Sequence, residues 1–407
     1  MDSADILIVG GGLNGCALAL ALAGAGFSVA LIDSQRVEPA GADGFDGRSY
    51  ALALTSQRML AALGLWGGLA ADAQPILRIT ASDGHAHVGP SPLHLVFDHA
   101  EIEEGPMGFM VEDRHLRRAL LAAIAATPAI RHLSGETVLG QSGDGPWVTV
   151  DLASGGVARG RLLVGCDGRG SGTAVRAGIG RTGWPYRQTA LVCAVAHDLP
   201  HHGVAHQFFM PSGPLAILPL PGNRSSIVWT ESDAQAVAIE ALADADYLAV
   251  LRPRFGDFLG AVRLAGARFS YPLGLSLANA MVGTRLALVG DAAHGIHPLA
   301  GQGLNLGLRD AAALTEVLAL AARRGEDVGA PAVLARYQGW RRFDTAALAA
   351  ATDGVNRLFS NDNPVLRVGR DLGLGLVNAI PSLRRSLIRE AAGLAGDVPR
   401  LMQGRAV

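Results

Sequence analysis

The sequence contains no lysine; all 34 basic residues are arginine. That excludes chemistry through a lysine Schiff base. Cysteine is scarce. Cys16, Cys166 and Cys193 are far apart and odd in number, so neither a disulfide framework nor a CxxC metal site is present. A reducing cytoplasm is the simplest compartment for such a chain. No excess of one charge exists: the formal net charge is −2, which argues against a nucleic-acid footprint. The opening "MDSADILIVGGG" lacks the basic n-region of a signal peptide. The longest apolar stretch nearby, "CALALALAGAGFSVALI", is broken by glycines and fits a helix and a strand better than a membrane span. Internal repeats and low-complexity linkers are also missing.

What is present is a chain of 407 residues with 49% apolar side chains, enough for two or three domains or one large α/β core with an inserted layer. Residues 5–10, "DILIVG", read as a buried strand, "LNGCALALALAGAG" as a helix, and "FSVALID" as a second strand ending at Asp33. This is a βαβ unit. "LRRALLAAIAAT" is helical, and the stretch from "ETVLG" to "LLVGCDG" reads as a β-meander followed by a strand ending at Asp167. Residues 181–280 read as an antiparallel sheet interrupted by one helix near 234–251. "TRLALVGDAAH" returns to the α/β style, and from 303 onward the chain is almost wholly helical. The expected fold class is therefore α/β. A Rossmann-like domain is assembled from 1–75, 101–180 and 281–350. A mainly antiparallel β-sheet substrate domain takes 76–100 and 181–280, and a helical C-terminal region takes 351–407.

"GGGLNG" at 10–15 fits G-x-G-x-x-G through Gly10, Gly12 and Gly15. The first glycine permits the tight turn, the second admits a pyrophosphate to the backbone, and the third lets the helix pack on the strand. The N–H groups of Leu13, Asn14 and Gly15 at the helix start face the phosphates. Asp33 lies 18 residues after Gly15, where a carboxylate can hold a ribose hydroxyl. This pattern calls for a dinucleotide and does not separate NAD from FAD.

Two further motifs narrow the reading. "LLVGCDGRGSGTAVRAGIG" (162–180) resembles the D-G motif, and "RLALVGDAAHGIHPLAGQGLNLGLRDA" (285–311) the G-D motif, of class A FAD-dependent aromatic monooxygenases, the para-hydroxybenzoate hydroxylase superfamily. "DGRSYAL", "GFMVEDRHLRRAL", "YRQTALV", "GPLAILPL" and "RLFSND" resemble the subfamily that hydroxylates the ring during ubiquinone biosynthesis. The resemblance covers essentially the whole chain. It implies FAD as resident cofactor and NAD(P)H as a transient reductant bound without a second Rossmann domain. It also implies O₂ as co-substrate and oxygen transfer to an electron-rich phenol through a flavin C4a-hydroperoxide.

The same resemblance assigns residues. Asp291 would hold a ribityl hydroxyl, and Pro298 would sit beside the isoalloxazine ring near the substrate. Gly301, Gln302, Gly303, Leu304 and Asn305 would bring backbone N–H groups to the pyrimidine end, at a helix start whose dipole favours reduced flavin. Asp167 and Gly168 would lie near the pyrophosphate. Arg48 would lie near the flavin and Arg114 would contact the cofactor. Pro298 and Arg48 are the expected catalytic residues. No metal site is expected: His197, His201, His202 and His206 read as turn histidines, and His294 and His297 lie in the flavin-facing loop. Cys16 is expected in a helix, Cys166 and Cys193 in strands.

No phenol-deprotonating group can be named from the sequence. "FFMPSGPLAILPL" and "RFSYPLGL" suit either an apolar tunnel for a polyprenyl tail or ordinary sheet core. The C-terminal stretch sets apolar residues between Arg367, Arg370, Arg384, Arg385 and Arg389. Such a helix can lie on the cytoplasmic face of the inner membrane, dock on the flavin domain, or meet another ubiquinone-biosynthesis protein. The alternatives are the same fold acting on another phenol, a flavoprotein of other chemistry such as a halogenase, and a non-catalytic flavoprotein within a quinone-synthesis complex.

Overall fold

The computed structural model describes residues 2–37, 44–85, 89–360 and 363–407. A six-stranded sheet forms the centre of the nucleotide part. Its order is Val282–Gly283, Leu286–Leu288, Leu162–Gly165, Ile6–Val9, Val29–Asp33 and Ile130–Ser134. All pairings are parallel except that of the 282–283 edge. Parallel strands are covered on both faces, and here they read as unbroken apolar runs: Ile6, Leu7, Ile8, Leu162 and Val164 are wholly buried. Helices Leu13–Gly24 and Gln302–Arg323 pack against one another and bury alanine-rich faces. A four-stranded sheet carries the expected meander, 138–144, 147–152 and 157–160, with Asp2–Ser3 at its edge.

A nine-stranded sheet forms the second layer and draws on residues 78–98 and 181–278, with His294–Gly295 added at one edge. It is antiparallel apart from the pairing of Val204–Met210 with Arg78–His85. Its outer face is closed by two helices, Asp233–Glu240 and Asp244–Phe255, where the sequence suggested one. The break is at Ala243, whose extended backbone (φ −66°, ψ 159°) starts the second helix with two aspartates in its first turn. The strand expected to end at Asp167 stops at Gly165, so Cys166 lies just past a strand end while Cys193 is within one. Helices Pro331–Phe359, Pro364–Ala379 and Pro381–Ala391 complete the chain, each opening with proline at its first position. No described helix is long and apolar enough to cross a membrane. Of "RLFSND", Asn361 and Asp362 lie outside the described residues, as does the side chain of Arg367.

Candidate active site

Three glycine-rich segments meet at the carboxyl edge of the parallel sheet, where ligands of open α/β sheets bind. Gly10 has φ +104°, and a Cβ there would strike the Cys166 carbonyl. A Cβ on Gly15 would strike the Gly10 carbonyl, and one on Gly11 the Asp33 carboxylate. Gly12 differs: it faces open space, with nothing within 4 Å of the position its Cβ would take. It also starts helix Leu13–Gly24 with no side-chain cap, so the first N–H groups of the helix are unclaimed by any side chain. Asn14 lies against Gly290 and Gly307, neither of which could carry a side chain, and its Oδ1 is buried without a partner. Asp33 uses one oxygen to accept the Gln35 N–H at 3.1 Å. An uncapped helix end and an open glycine fit a dinucleotide pyrophosphate, whereas the orphaned Asn14 oxygen calls for a donor and does not bear on the phosphates.

Asp167 stands beside Gly10 but spends its carboxylate on its own turn. Oδ1 accepts the Ser171 hydroxyl at 2.5 Å; Oδ2 accepts the Thr173 N–H at 2.9 Å and hydroxyl at 2.8 Å. Gly168 turns the chain at φ +80°. Asp291 pairs with Arg169 at 3.1 Å and stays 38% exposed, so its carboxylate can take a further donor. The Arg181 guanidinium, which the sequence reading missed, holds the same segment by donating to the Ala292 carbonyl at 2.5 Å and the Asp291 carbonyl at 3.1 Å.

Pro298 precedes the short turn Leu299–Gly301. Gly301 then caps helix Gln302–Arg323 in the left-handed region, φ +65° and ψ 26°, with no side chain on the helix end. Gly303 faces open space. The backbone N–H groups there fit the pyrimidine edge of a flavin, and the open glycine leaves room for a flat ring. The Asn305 side chain is not available to a ligand. Its Oδ1 accepts from the Ala53 N–H (2.8 Å) and the Ser56 hydroxyl (2.7 Å), while Nδ2 donates to the Ala51 and Gly301 carbonyls (2.8 and 3.0 Å). It ties the helix start to strand Ser49–Ala53.

Arg48 lies at the junction of the two layers. It donates to Asp46 at 2.8 Å, approaches Asp113 at 3.7 Å and stands over the Phe269 ring at 5.6 Å. The hydrogen bond to Asp46 raises its pKa further. Arg114 donates to Glu112 at 2.7 Å, and Glu112 also takes Arg224 at 2.8 Å. Both Arg48 and Arg114 are thus engaged by carboxylates of their own region, Arg48 directly before the strand that meets Gly301.

The largest omission from the sequence reading is a buried ionic clasp. Asp310 is wholly buried; it accepts the Gly290 N–H at 3.0 Å and Arg341 Nε at 2.8 Å, and lies 2.5 Å from His294 Nε2. Burial alone would raise its pKa, but the charges of His294 and Arg341 outweigh burial and hold the carboxyl below its ordinary range. The signal was an aspartate inside the apolar run "LGLRDAAALTEVL". His297 is 1% exposed, has no hydrogen-bond partner and lies edge-on to Tyr186 at 5.3 Å. Burial pushes its pKa down to about 4. His197 bonds the Leu199 carbonyl and the Ser225 hydroxyl, and His201 the Leu220 carbonyl. Among the described residues no group of three His, Cys, Asp or Glu side chains is arranged for a metal. Leu299, directly after Pro298, packs with Phe209 and Phe359 into an apolar box, flanked by Ala81 and Leu374.

Residues 3–351 match the family model described as an FAD binding domain. Ubiquinone hydroxylase UbiL of Rhodospirillum rubrum is 48% identical over 98% of this chain and 93% of its own. The 3-demethoxyubiquinol 3-hydroxylase of Escherichia coli is 36% identical over 96% and 98%. Among solved structures, p-nitrophenol 4-monooxygenase PnpA of Pseudomonas putida superposes with a TM-score of 0.80 at 20% identity, covering 97% of this chain and 99% of that one.

Proposed function

Because this chain belongs to the FAD-binding-domain family of flavoprotein monooxygenases, we propose that it hydroxylates the aromatic ring of a polyprenylated phenol or benzoquinone precursor in ubiquinone biosynthesis. The observation that carries this reading is a juxtaposition. The open glycine edge, fit for FAD, leads through Pro298 directly into the apolar box of Leu299, Phe209 and Phe359.

Bound FAD would supply the activation of O₂ for transfer of one oxygen atom to the ring. Everything else falls to the chain. The uncapped start of helix Leu13–Gly24 and Gly12 would bind the pyrophosphate, with Asp33 on a ribose and Asp291 on the ribityl chain. The N–H groups of Gly303, Leu304 and Asn305 would stabilise negative charge on the ring's pyrimidine end. The apolar cluster of Leu299, Phe209 and Phe359 would border the substrate ring and help exclude water, which otherwise diverts the oxidant to H₂O₂. Arg48, on the layer junction, would act where the ring and the sheet meet, and NAD(P)H would reduce FAD as a transient visitor. Asp167 would shape the loop through its turn rather than touch the cofactor.

The proposed domain division remains 1–75, 101–180 and 281–350 for FAD, 76–100 and 181–280 for substrate, and 351–407 for the C-terminal region. It is supported by the separate sheets these ranges supply, although strand His294–Gly295 joins the substrate sheet. Peripheral contact with the cytoplasmic face of the inner membrane and with other ubiquinone-biosynthesis proteins is part of the same proposal. Gene deletion followed by mass spectrometry of quinone lipids tests it. The expected result is loss of ubiquinone and accumulation of a prenylated intermediate lacking one ring oxygen. Normal ubiquinone in a strain also lacking any paralogue would sink the pathway and leave an FAD monooxygenase of another phenol.

A further inference from the structure

Successive side chains of a strand point to opposite faces of its sheet. Strands Arg78–His85 and Val204–Met210, which pair, therefore present two surfaces. Ala81 and Phe209 point to the flavin side, where they meet Leu299. Thr80, Ser82, His206 and Phe208 point the other way. There they wall a cavity of about 640 Å³, bordered across from them by Phe255 and Phe258, at and just past the end of helix Asp244–Phe255. Pockets for small organic molecules run from roughly 300 to 1,000 Å³. The strand pair itself stands between this cavity and Leu299, so the cavity is no part of the site described above.

The walls are largely aromatic. Phe258 meets the His206 ring at 4.6 Å and stacks on Phe255 at 5.5 Å and 12°. Two polar groups interrupt them. Ser82 is wholly buried, and its hydroxyl has no hydrogen-bond partner. The His206 ring touches those of Phe208 and Phe258, and among the described residues it makes no hydrogen bond. Burial pushes its pKa down to about 4, so at neutral pH the ring is uncharged and offers one donor and one acceptor. Ser82 and His206 are diagonal neighbours on the paired strands, within reach of one bound oxygen. A buried hydroxyl without a partner carries a desolvation cost that such an oxygen would offset. The arginine and aspartate on the cavity wall are already paired. Arg254 meets Glu231 at 3.2 Å and stands over Trp229, and Asp257 takes Arg252 at 3.2 Å. A charged ligand would find no counter-ion there. We propose that this cavity is a second ligand site, on the far face of the sheet from the flavin edge, for an uncharged ring compound bearing a hydroxyl or carbonyl oxygen. Phe208 and Phe258 take its ring, and Ser82 and His206 take its oxygen. The site involves no turnover, so it stands whether or not the chain hydroxylates a prenylated ring.

The test is calorimetric titration of the full-length, oxidised holoenzyme with naphthol and with naphthalene, without NAD(P)H, so that nothing turns over. The flavin absorbance spectrum is recorded alongside, because a ligand against the flavin changes it and one in this cavity does not. Naphthol should bind saturably in a phase that leaves the spectrum unchanged. The double variant Ser82→Ala/His206→Phe should weaken that phase at least tenfold while naphthalene binding stays within twofold, since only the oxygen loses its partners. Ser82→Ala alone removes a hydroxyl that bonds nothing in the protein, so its unfolding midpoint should not fall, and it should still weaken naphthol several-fold. Where the double variant fails to fold, the single one decides. Naphthol binding seen only with a change in the flavin spectrum overturns the proposal. So does an equal weakening of both probes, or a naphthol affinity that the substitutions leave untouched. A chain that binds naphthol in this way yet hydroxylates no phenol keeps the second site and refutes only the ring-hydroxylase reading.

Discussion

Two fully buried aspartate–arginine pairs hold this molecule together at different places, and they do different work. Asp310 and Arg341 are each 0% exposed in their side chains; Asp83 and Arg370 are each 2% exposed. The first pair lies behind the flavin edge. Asp310 also gathers the Gly290 N–H and His294, so one carboxylate fixes two points of a glycine-dense loop that has few side chains of its own to pack. The second pair joins helix Pro364–Ala379 to strand Arg78–His85. Arg370 donates to the Leu358 and Phe359 carbonyls and stands over the Phe359 ring, so it joins two helices to a hairpin nearly 290 residues away. Buried pairs repay their desolvation best when most donors and acceptors are used; the Asp310 carboxylate takes three donors, while Arg341 Nη2 is left without an acceptor. A loop that must remain glycine-lined for a ligand, and a helix that leaves Leu372 and Leu376 exposed, both need such a fixed point.

The largest expected effect is therefore Asp310→Ala. It leaves the buried His294 without its carboxylate and Arg341 with Asp344 alone, and the cost is about 3–5 kcal/mol. Denaturant unfolding of the apoprotein and the holoprotein should both show it. Asp83→Ala should cost a similar amount in unfolding but leave FAD affinity within a fewfold. If Asp83→Ala releases FAD as readily as Asp310→Ala does, the two pairs are not separate devices. Gly10→Ala comes next. Its φ of +104° and the Cys166 carbonyl leave no space for a methyl, so a loss of about 3 kcal/mol or more is expected, again by unfolding.

The contrast between the two regions also marks what the sequence could convey. The nucleotide fingerprint, the D-G and G-D motifs and the βαβ opening were legible because each is a local requirement: a strand, a turn that tolerates only glycine, and a helix end within a few residues. The sheet of 181–278 was legible from alternation and turns, except for the helix break at Ala243, where "ALADAD" offers two aspartates as the start of a new helix. For the C-terminal helices the sequence left membrane and protein contact open, and it could not show that Arg370 and Arg384 find carboxylates at Asp83 and Glu101. Pairing across 283 or more residues has no local sequence signature. The same holds for Asp310 with Arg341, and for Asn305, whose side chain bonds Ala51, Ala53 and Ser56.

The pH dependence sharpens the flavin side of the comparison. His297 is held neutral by burial, with a folded pKa of about 4 against an ordinary value of about 6.5. Its folded pKa is depressed, so the unfolded chain takes up the proton first as pH falls. Stability is unaffected above pH 6.5, declines between 6.5 and 4, and levels off below. The loss is at most about 3 kcal/mol over that window. Asp310 contributes separately and at lower pH, because its carboxyl is held below the ordinary range and loses its pairing only when protonated. Unfolding series from pH 7.5 to 4 should become less steep in His297→Gln, with His206, also pushed down to about 4 by burial, supplying a similar loss. A slope unchanged by that substitution would assign the acid sensitivity elsewhere, for example to His206 alone.

The smallest effect on stability is expected at Gly12, and it is the most telling about the site. Gly10 and Gly15 are glycines because protein occupies the space; Gly12 is a glycine although nothing of the protein lies within 4 Å. Its backbone, φ −68° and ψ −179°, is one that any residue adopts. Gly12→Ala should therefore leave the apoprotein within about 0.5 kcal/mol of the parent, since the fold neither needs the glycine's freedom nor meets the new methyl. FAD affinity should nevertheless fall at least tenfold, because the methyl would stand where the pyrophosphate approaches the backbone. Flavin fluorescence titration of the apoprotein measures this directly. An unchanged affinity would mean that the open space at Gly12 belongs to solvent, and that the phosphates are bound elsewhere along the glycine edge.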